Sequence, residues 1–241
     1  MVRRFRMIAG PNGSGKSTLR AWLSSDYAVN FYTFLNADDL NAELVRTGRC
    51  TVPFAFEPDE LSTFVRTTSY DASVKEPFLD GRIVADGDFV RFGPDAVNTY
   101  TVALLTAFLQ NGCFARGLSF SQETVMSHPS KIEALKRAQS AGYRTYLYYV
   151  ATETPVINLE RISNRAVLGG HAVPEAKTRA RYARSLALLP TAFTHLSRAF
   201  FFDNSTDEMR YLASWSRDEG LRVQQTVLPD WFDQVRRVLA A

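Results

Sequence analysis

Apolar positions along the chain cluster in short runs separated by longer stretches of mixed polarity. That spacing predicts buried strands alternating with amphipathic helices. Phe5 with Met7, Ile8 and Ala9 reads as a first strand and Thr18 to Ser24 as a helix. Phe31 to Leu35 is a second strand, followed by Asn36-Ala37-Asp38-Asp39 and a helix to about Arg46. Asp95 to Asn111 is a helix stopped by Gly112, and Ala115 to Gln122 a strand running into Glu123-Thr124. Pro129 to Ala141 is a helix closed by Gly142, and Arg144 to Val150 the next strand. Pro155 to Leu168 and Pro174 to Leu189 are helices joined by Gly169-Gly170-His171, and Phe200 to Phe202 is a short apolar strand. Tyr211 to Ser216 and Leu221 to Gln225 flank a hairpin turn, and Trp231 to Leu239 is a terminal helix. The pattern predicts an α/β fold: a parallel sheet flanked by helices, closed by a C-terminal hairpin plus helix.

Residues 48–94 break the alternation with several prolines and glycines. Ile83 to Ala85 and Phe89 to Phe92 bracket Asp86-Gly87, a hairpin signal, so this stretch reads as an insertion with its own small β element. A length of 241 residues suits a single domain, 1–241, carrying that insertion. A net charge of +3 against 28 basic and 25 acidic side chains gives no dedicated nucleic-acid surface. Cys50 and Cys113 lack metal-ligand spacing and read as buried or incidental thiols of a reducing compartment. The longest apolar-rich run, Tyr100 to Leu109, is too short for a bilayer, so the chain reads as cytoplasmic with no membrane partner.

The densest chemical signal is Gly10-Pro11-Asn12-Gly13-Ser14-Gly15-Lys16-Ser17-Thr18, which meets every fixed position of the phosphate-loop pattern G-x-x-x-x-G-K-[ST]. Glycines let the backbone curl so that its N–H groups converge on phosphate oxygens at a helix N-terminus. In such a loop Lys16 reaches the outer phosphates and the Ser17 hydroxyl ligates Mg²⁺, which points to a bound nucleoside triphosphate, ATP by default over GTP. A P-loop NTPase-type sheet is therefore expected.

Other candidates lie where predicted strands hand over to helices. Asp38 has two readings, a base toward an attacking hydroxyl or a helix cap, a job Asn36 or Asp39 also suits. Glu123 and Thr124 are either acceptor contacts or a strand-end cap and turn. Arg161 and Arg165 share a helix face, suited to charge on a transferred phosphoryl or simply to solvent; Arg179, Arg181 and Arg184 follow on the next helix. His171 borders this arginine-bearing segment and is a candidate substrate contact, while Asn204 and Ser205 mark the expected base-binding strand end.

Together the phosphate loop, Asn36 to Asp39, Glu123-Thr124-Val125-Met126-Ser127, Gly142-Tyr143-Arg144, Gly169 to Pro174, Arg181 to Leu186 and Phe202 to Ser205 resemble the zeta toxin-like kinases. The resemblance implies transfer of the γ-phosphate of ATP to a hydroxyl of a small nucleotide-like or nucleotide-sugar acceptor, UDP-N-acetylglucosamine in the toxins. It implies Asp38 as base, Glu123 as acceptor contact, Arg161 as phosphoryl clamp and an antitoxin protein as partner. Where the toxins carry a second catalytic arginine this chain has His171, which leaves Arg165 as the substitute, and Val125 stands where they carry threonine.

Overall fold

A computed structural model describes residues 2–167 and 173–240. The chain forms two compact units, Met1–Tyr32 with Ser121–Ala241, and Thr33–Phe120. The first begins with β1 (Arg4–Ala9) and α1 (Lys16–Asp26). The second contains β2 (Thr33–Leu35), α2 (Ala37–Thr47), β3 (Arg49–Thr51), α3 (Pro58–Thr67), α4 (Ala72–Leu79), β4 (Ile83–Asp86), β5 (Phe89–Phe92), a 3-10 turn at Pro94–Ala96 and α5 (Thr99–Ala115). After β6 (Phe120–Thr124) the first unit resumes with α6 (Ser130–Ser140), β7 (Arg144–Ala151), α7 (Pro155–Val167), α8 (Glu175–Ala187) and α9 (Leu189–Phe193). It ends with β8 (Arg198–Asp203), β9 (Arg210–Ser216), β10 (Gly220–Val223) and α10 (Asp230–Ala240).

Sheet order in the first unit is β10-β9-β8-β7-β1-β6. The pairs β1–β7 and β7–β8 are parallel, whereas β8–β9 and β9–β10 are antiparallel and include the expected C-terminal hairpin. Phe5, Met7, Ile8 and Ala9 are wholly buried, as a central strand covered on both faces requires. This is the α/β architecture of the P-loop NTPase type, with the β1–α1 turn carrying the glycine-rich loop.

Helix α6 ends as the sequence predicts. Gly142 takes φ +76°, its N–H donates to Gln139 O, and the Tyr143 N–H donates to Ala138 O, a Schellman closure. Helix α5 does not stop at Gly112. It runs on to Ala115 and closes in the same way at Gly117, φ +63°, with the Leu118 N–H donating to Cys113 O. Gly112 instead makes room for the Phe54 ring, which a Cβ there would overlap. The expected strand at Ala115 consequently begins only at Phe120.

The second unit contains the hairpin read from Asp86-Gly87, with Asp86 opposite Phe89 and Gly87 at φ +60°. It is joined by β3 in the order β3-β5-β4. Two helices that the sequence pattern did not reveal, α3 and α4, lie within residues 48–94. Pro58, read there as a breaker, occupies the first turn of α3, where its missing N–H costs nothing, and Glu57 and Glu60 form a capping box. The strand expected over Phe31 to Leu35 shortens to Thr33–Leu35, while Phe31 is buried and accepts at its carbonyl a hydrogen bond from Ser121 Oγ.

Candidate active site

Strand β1 delivers the chain directly into the glycine-rich loop. Gly10, Gly13 and Gly15 have φ of +151°, +77° and +95°, and each is crowded. A Cβ on Gly10 would strike Val150 O, one on Gly13 would come within 2.6 Å of Asn158 O, and one on Gly15 would strike Asn204 Nδ2. The loop is braced from two sides. Asn158 of α7, wholly buried, donates through Nδ2 to Asn12 O at 2.6 Å and accepts a hydrogen bond from Thr152 Oγ1. Asn204, just past β8, donates through Nδ2 to Ser14 O at 2.9 Å, while its own N–H donates to Ala151 O.

The loop's open side suits an anion. Gly15 caps α1 in the left-handed conformation with no side chain accepting from the first-turn N–H groups. Those donors and the positive end of the helix dipole therefore converge on the loop. Ser14 Oγ is buried and finds no hydrogen-bond partner among the described residues. Lys16 Nζ donates to Pro11 O at 3.1 Å, folded back across the loop, and the Ser17 and Thr18 side chains are exposed. Glycines that a Cβ would fill, an orphaned hydroxyl and an uncapped helix start fit the phosphates of a nucleotide.

Arg161 belongs to the same cluster. It donates to Asn204 O at 2.7 Å and to Thr206 O at 3.3 Å, which ties α7 to the turn that braces the loop. Arg165 lies one turn further on and is exposed. Beneath them, wholly buried Asp203 is held by Arg210 at 2.7 Å, by Ser205 Oγ at 2.6 Å and by Trp231 Nε1 at 3.2 Å. From α8, Tyr182 donates to Thr152 O at 2.6 Å. Burial, with the charges of Glu153 and Asp203, pushes its phenol up to about 12, so it stays a donor.

Glu123 and Thr124 end β6, the strand beside β1. Glu123 is half-buried, and Thr124 Oγ1 accepts from the Met126 N–H at 3.1 Å, shaping a turn in which Met126 takes φ +52°. In the second unit the capping question is answered locally. Asn36 Oδ1 accepts from the Asp38 N–H at 3.0 Å, so Asn36 caps α2 and the exposed Asp38 carboxylate does not. Asp39 follows in the same first turn. His171 and the Gly169-Gly170 pair lie outside the described residues. Asn158 escaped the sequence reading, because a lone asparagine on a helix carries no spacing signal; only its burial shows what it holds.

The fold and this loop define a P-loop NTPase-type protein. No family model matches the chain. An uncharacterised protein of Haemophilus influenzae is 34% identical over 65 residues, 27% of this chain and 46% of that protein, so the chain spans about half the length of the curated relative it matches. Among solved structures, the AvrRxo1-ORF1:AvrRxo1-ORF2 complex with sulphate ions superposes with a TM-score of 0.56 at 12% identity, covering 99% of this chain and 64% of that one. The same complex with ATP gives 0.52 at 14% identity, again covering 99% and 64%. The PezAT chromosomal toxin-antitoxin system of Streptococcus pneumoniae gives 0.50 at 9% identity, covering 98% and 78%. At these identities the likeness is one of fold, shared along essentially the whole of this chain.

Proposed function

We propose that the chain is an ATP-dependent kinase of the zeta toxin-like kind, which transfers the γ-phosphoryl to a hydroxyl of a small nucleotide-like or nucleotide-sugar acceptor. The observation that carries this reading is the braced phosphate loop with its orphaned Ser14 hydroxyl and uncapped α1. Its fold is one in which another protein has been crystallised with ATP. The motif resemblance to zeta toxin-like kinases supports the transfer chemistry, and the toxin–antitoxin neighbour supports an antitoxin as protein partner.

In this reading Lys16 leaves Pro11 O to hold the outer phosphates, and the Ser17 hydroxyl would hold Mg²⁺, whose chemistry would be charge neutralisation on the phosphates. Arg161, kept beside the loop by Asn204 O, and Arg165 on the same helix face stabilise the transferred phosphoryl. Glu123 and Thr124, with His171, orient the acceptor, and Asp38, freed from capping by Asn36, accepts the proton of its hydroxyl.

The test is to incubate the protein with ATP, Mg²⁺ and a panel of UDP-sugars, nucleosides and dinucleotides, scoring mass gain by one phosphate. Lys16→Ala serves as the blank. A phosphorylated product supports the kinase and names its acceptor. Phosphate release with no phosphorylated product would replace transfer by hydrolysis.

A further inference from the structure

Far from the phosphate loop, the amino ends of β1, β7 and β8 gather an unusual set of side chains. Strand register puts Arg4 beside Arg144, and in the next row on the same face Arg6 beside Tyr146 and Tyr146 beside Arg198. These rows lie at the start of β1, about five residues, or roughly 16 Å at 3.3 Å per residue, from its loop end.

Arg6 is only 9% exposed, yet its Nε and Nη1 find no hydrogen-bond partner among the described residues. Its guanidinium is sandwiched between the rings of Tyr32 and Tyr146, 5.1 Å from each centroid. The chain accepts a left-handed Tyr32, φ +54°, whose N–H donates to Asn30 Oδ1 at 2.7 Å, and the ring thereby covers Arg6. Burial raises the Tyr32 phenol, but hydrogen bonds from Arg6 and Arg4 outweigh it and leave the phenol below 10, a sign of the local positive field.

Tyr146 also lines a cavity of about 230 Å³ with Arg144, Ser197, Arg198, Arg217 and Asp218. That is room for roughly eight waters at ~30 Å³ each, enough for a phosphate or diphosphate group. Arg217 is anchored on Leu196 O and Thr194 O at 3.0 and 2.7 Å. The Arg144 and Arg198 guanidiniums form no ion pair or hydrogen bond among the described residues, and both are exposed. Like charges on adjacent strands repel, and a buried guanidinium without a carboxylate is costly. An anion seated among Arg144, Arg198 and Arg217 offsets the repulsion between their charges.

We propose that this cavity is a second anion site, separate from the phosphate loop, that binds the phosphoryl group of a small phosphorylated molecule. The Arg144 and Arg198 guanidiniums, with Arg217 in the same lining, match a terminal phosphate of charge near −2 better than a carboxylate of −1. The planar donors of arginine suit phosphate oxygens. Tyr146, stacked on Arg6 and lining the cavity, transmits the buried charge to the ligand.

The test uses the whole chain as the Lys16→Ala variant, which weakens the phosphate loop, and measures pyrophosphate binding by calorimetry. The comparison adds Arg144→Gln and Arg198→Gln, both at exposed positions and checked for an unchanged thermal midpoint. The expected result is a binding event in Lys16→Ala that weakens at least tenfold in the triple variant. Equal binding in the two proteins, or no binding in either, overturns the proposal. ADP competing with pyrophosphate more tightly at the arginine-dependent site identifies a nucleotide as the source of the phosphate; equal competition identifies the phosphoryl group alone. Binding of single-stranded RNA but not of pyrophosphate through Arg144 and Arg198 would also overturn it.

Discussion

Asn158 shows how much one buried amide can carry. It bonds Asn12 O and Thr152 Oγ1, so Asn158→Ala leaves the part-buried Asn12 carbonyl without this donor and the Thr152 hydroxyl with Thr154 O. An unsatisfied buried group costs roughly 1–3 kcal/mol, and Asn158→Ala should lower the urea midpoint accordingly. It should also weaken ATP affinity, since the loop loses one of its two braces; a loss of stability with unchanged ATP affinity would show that Asn204 holds the loop alone. Asp38 makes a complementary case. With Asn36 as the cap, Asp38→Asn should leave the α2 start and the stability intact while cutting phosphoryl transfer by about two orders of magnitude or more. A transfer rate within a factor of two of the parent would remove Asp38 from the base role. The roles proposed for Lys16 and Ser17 rest on residue type and spacing alone, because phosphate recognition by a backbone loop is a local property. The partner of Arg161 was not, since its acceptors at Asn204 and Thr206 are more than forty residues away.

At the level of elements, two glycines of the α5 region do different jobs that composition cannot separate. Gly117 supplies a left-handed closure, and a side chain there costs about 1–2 kcal/mol. Gly112 supplies space against Phe54, where overpacking costs about 1–3 kcal/mol. Both Gly→Ala variants should therefore be destabilised, but Phe54→Ala should relieve only Gly112→Ala. A double-mutant cycle in urea reads the difference, and additive effects at Gly112 would mean that the ring does not set the penalty. The sequence pattern placed strands β7, β8 and β9 well, because their apolar runs are buried or paired in the sheet. It misread the start of β6 because a helix whose apolar residues face every side, as in α5, offers no period to mark its end. It missed α3 because a proline read as a breaker is also compatible with a first helical turn, and α4 because Pro77 lies inside the helix.

For the molecule as a whole, the groups with raised pKa predict an alkaline limit. Burial pushes the Cys50 and Cys113 thiols from 9.0 up to about 12, and the Tyr182 phenol from 10.0 up to about 12. The folded protein holds these protons more tightly than the unfolded chain, so their stabilising contribution is complete below about pH 9 and is lost as pH rises toward 12. The urea midpoint should fall between pH 8.5 and pH 11, here taken as roughly the window set by those values; a flat profile would show that these groups ionise freely in the fold. Among the described residues no helix is long and apolar enough to cross a membrane.

By itself the sequence determined the phosphate loop, the alternation of strand and helix and the closing glycine of α6, since each depends on residues within a few positions of one another. Only the tertiary structure decided which asparagines brace the loop, where Arg161 is held, and that Arg4, Arg6, Arg144 and Arg198 share one sheet face. Those depend on strand register and on pairs more than forty residues apart, and no local pattern of polarity encodes which strand lies beside which.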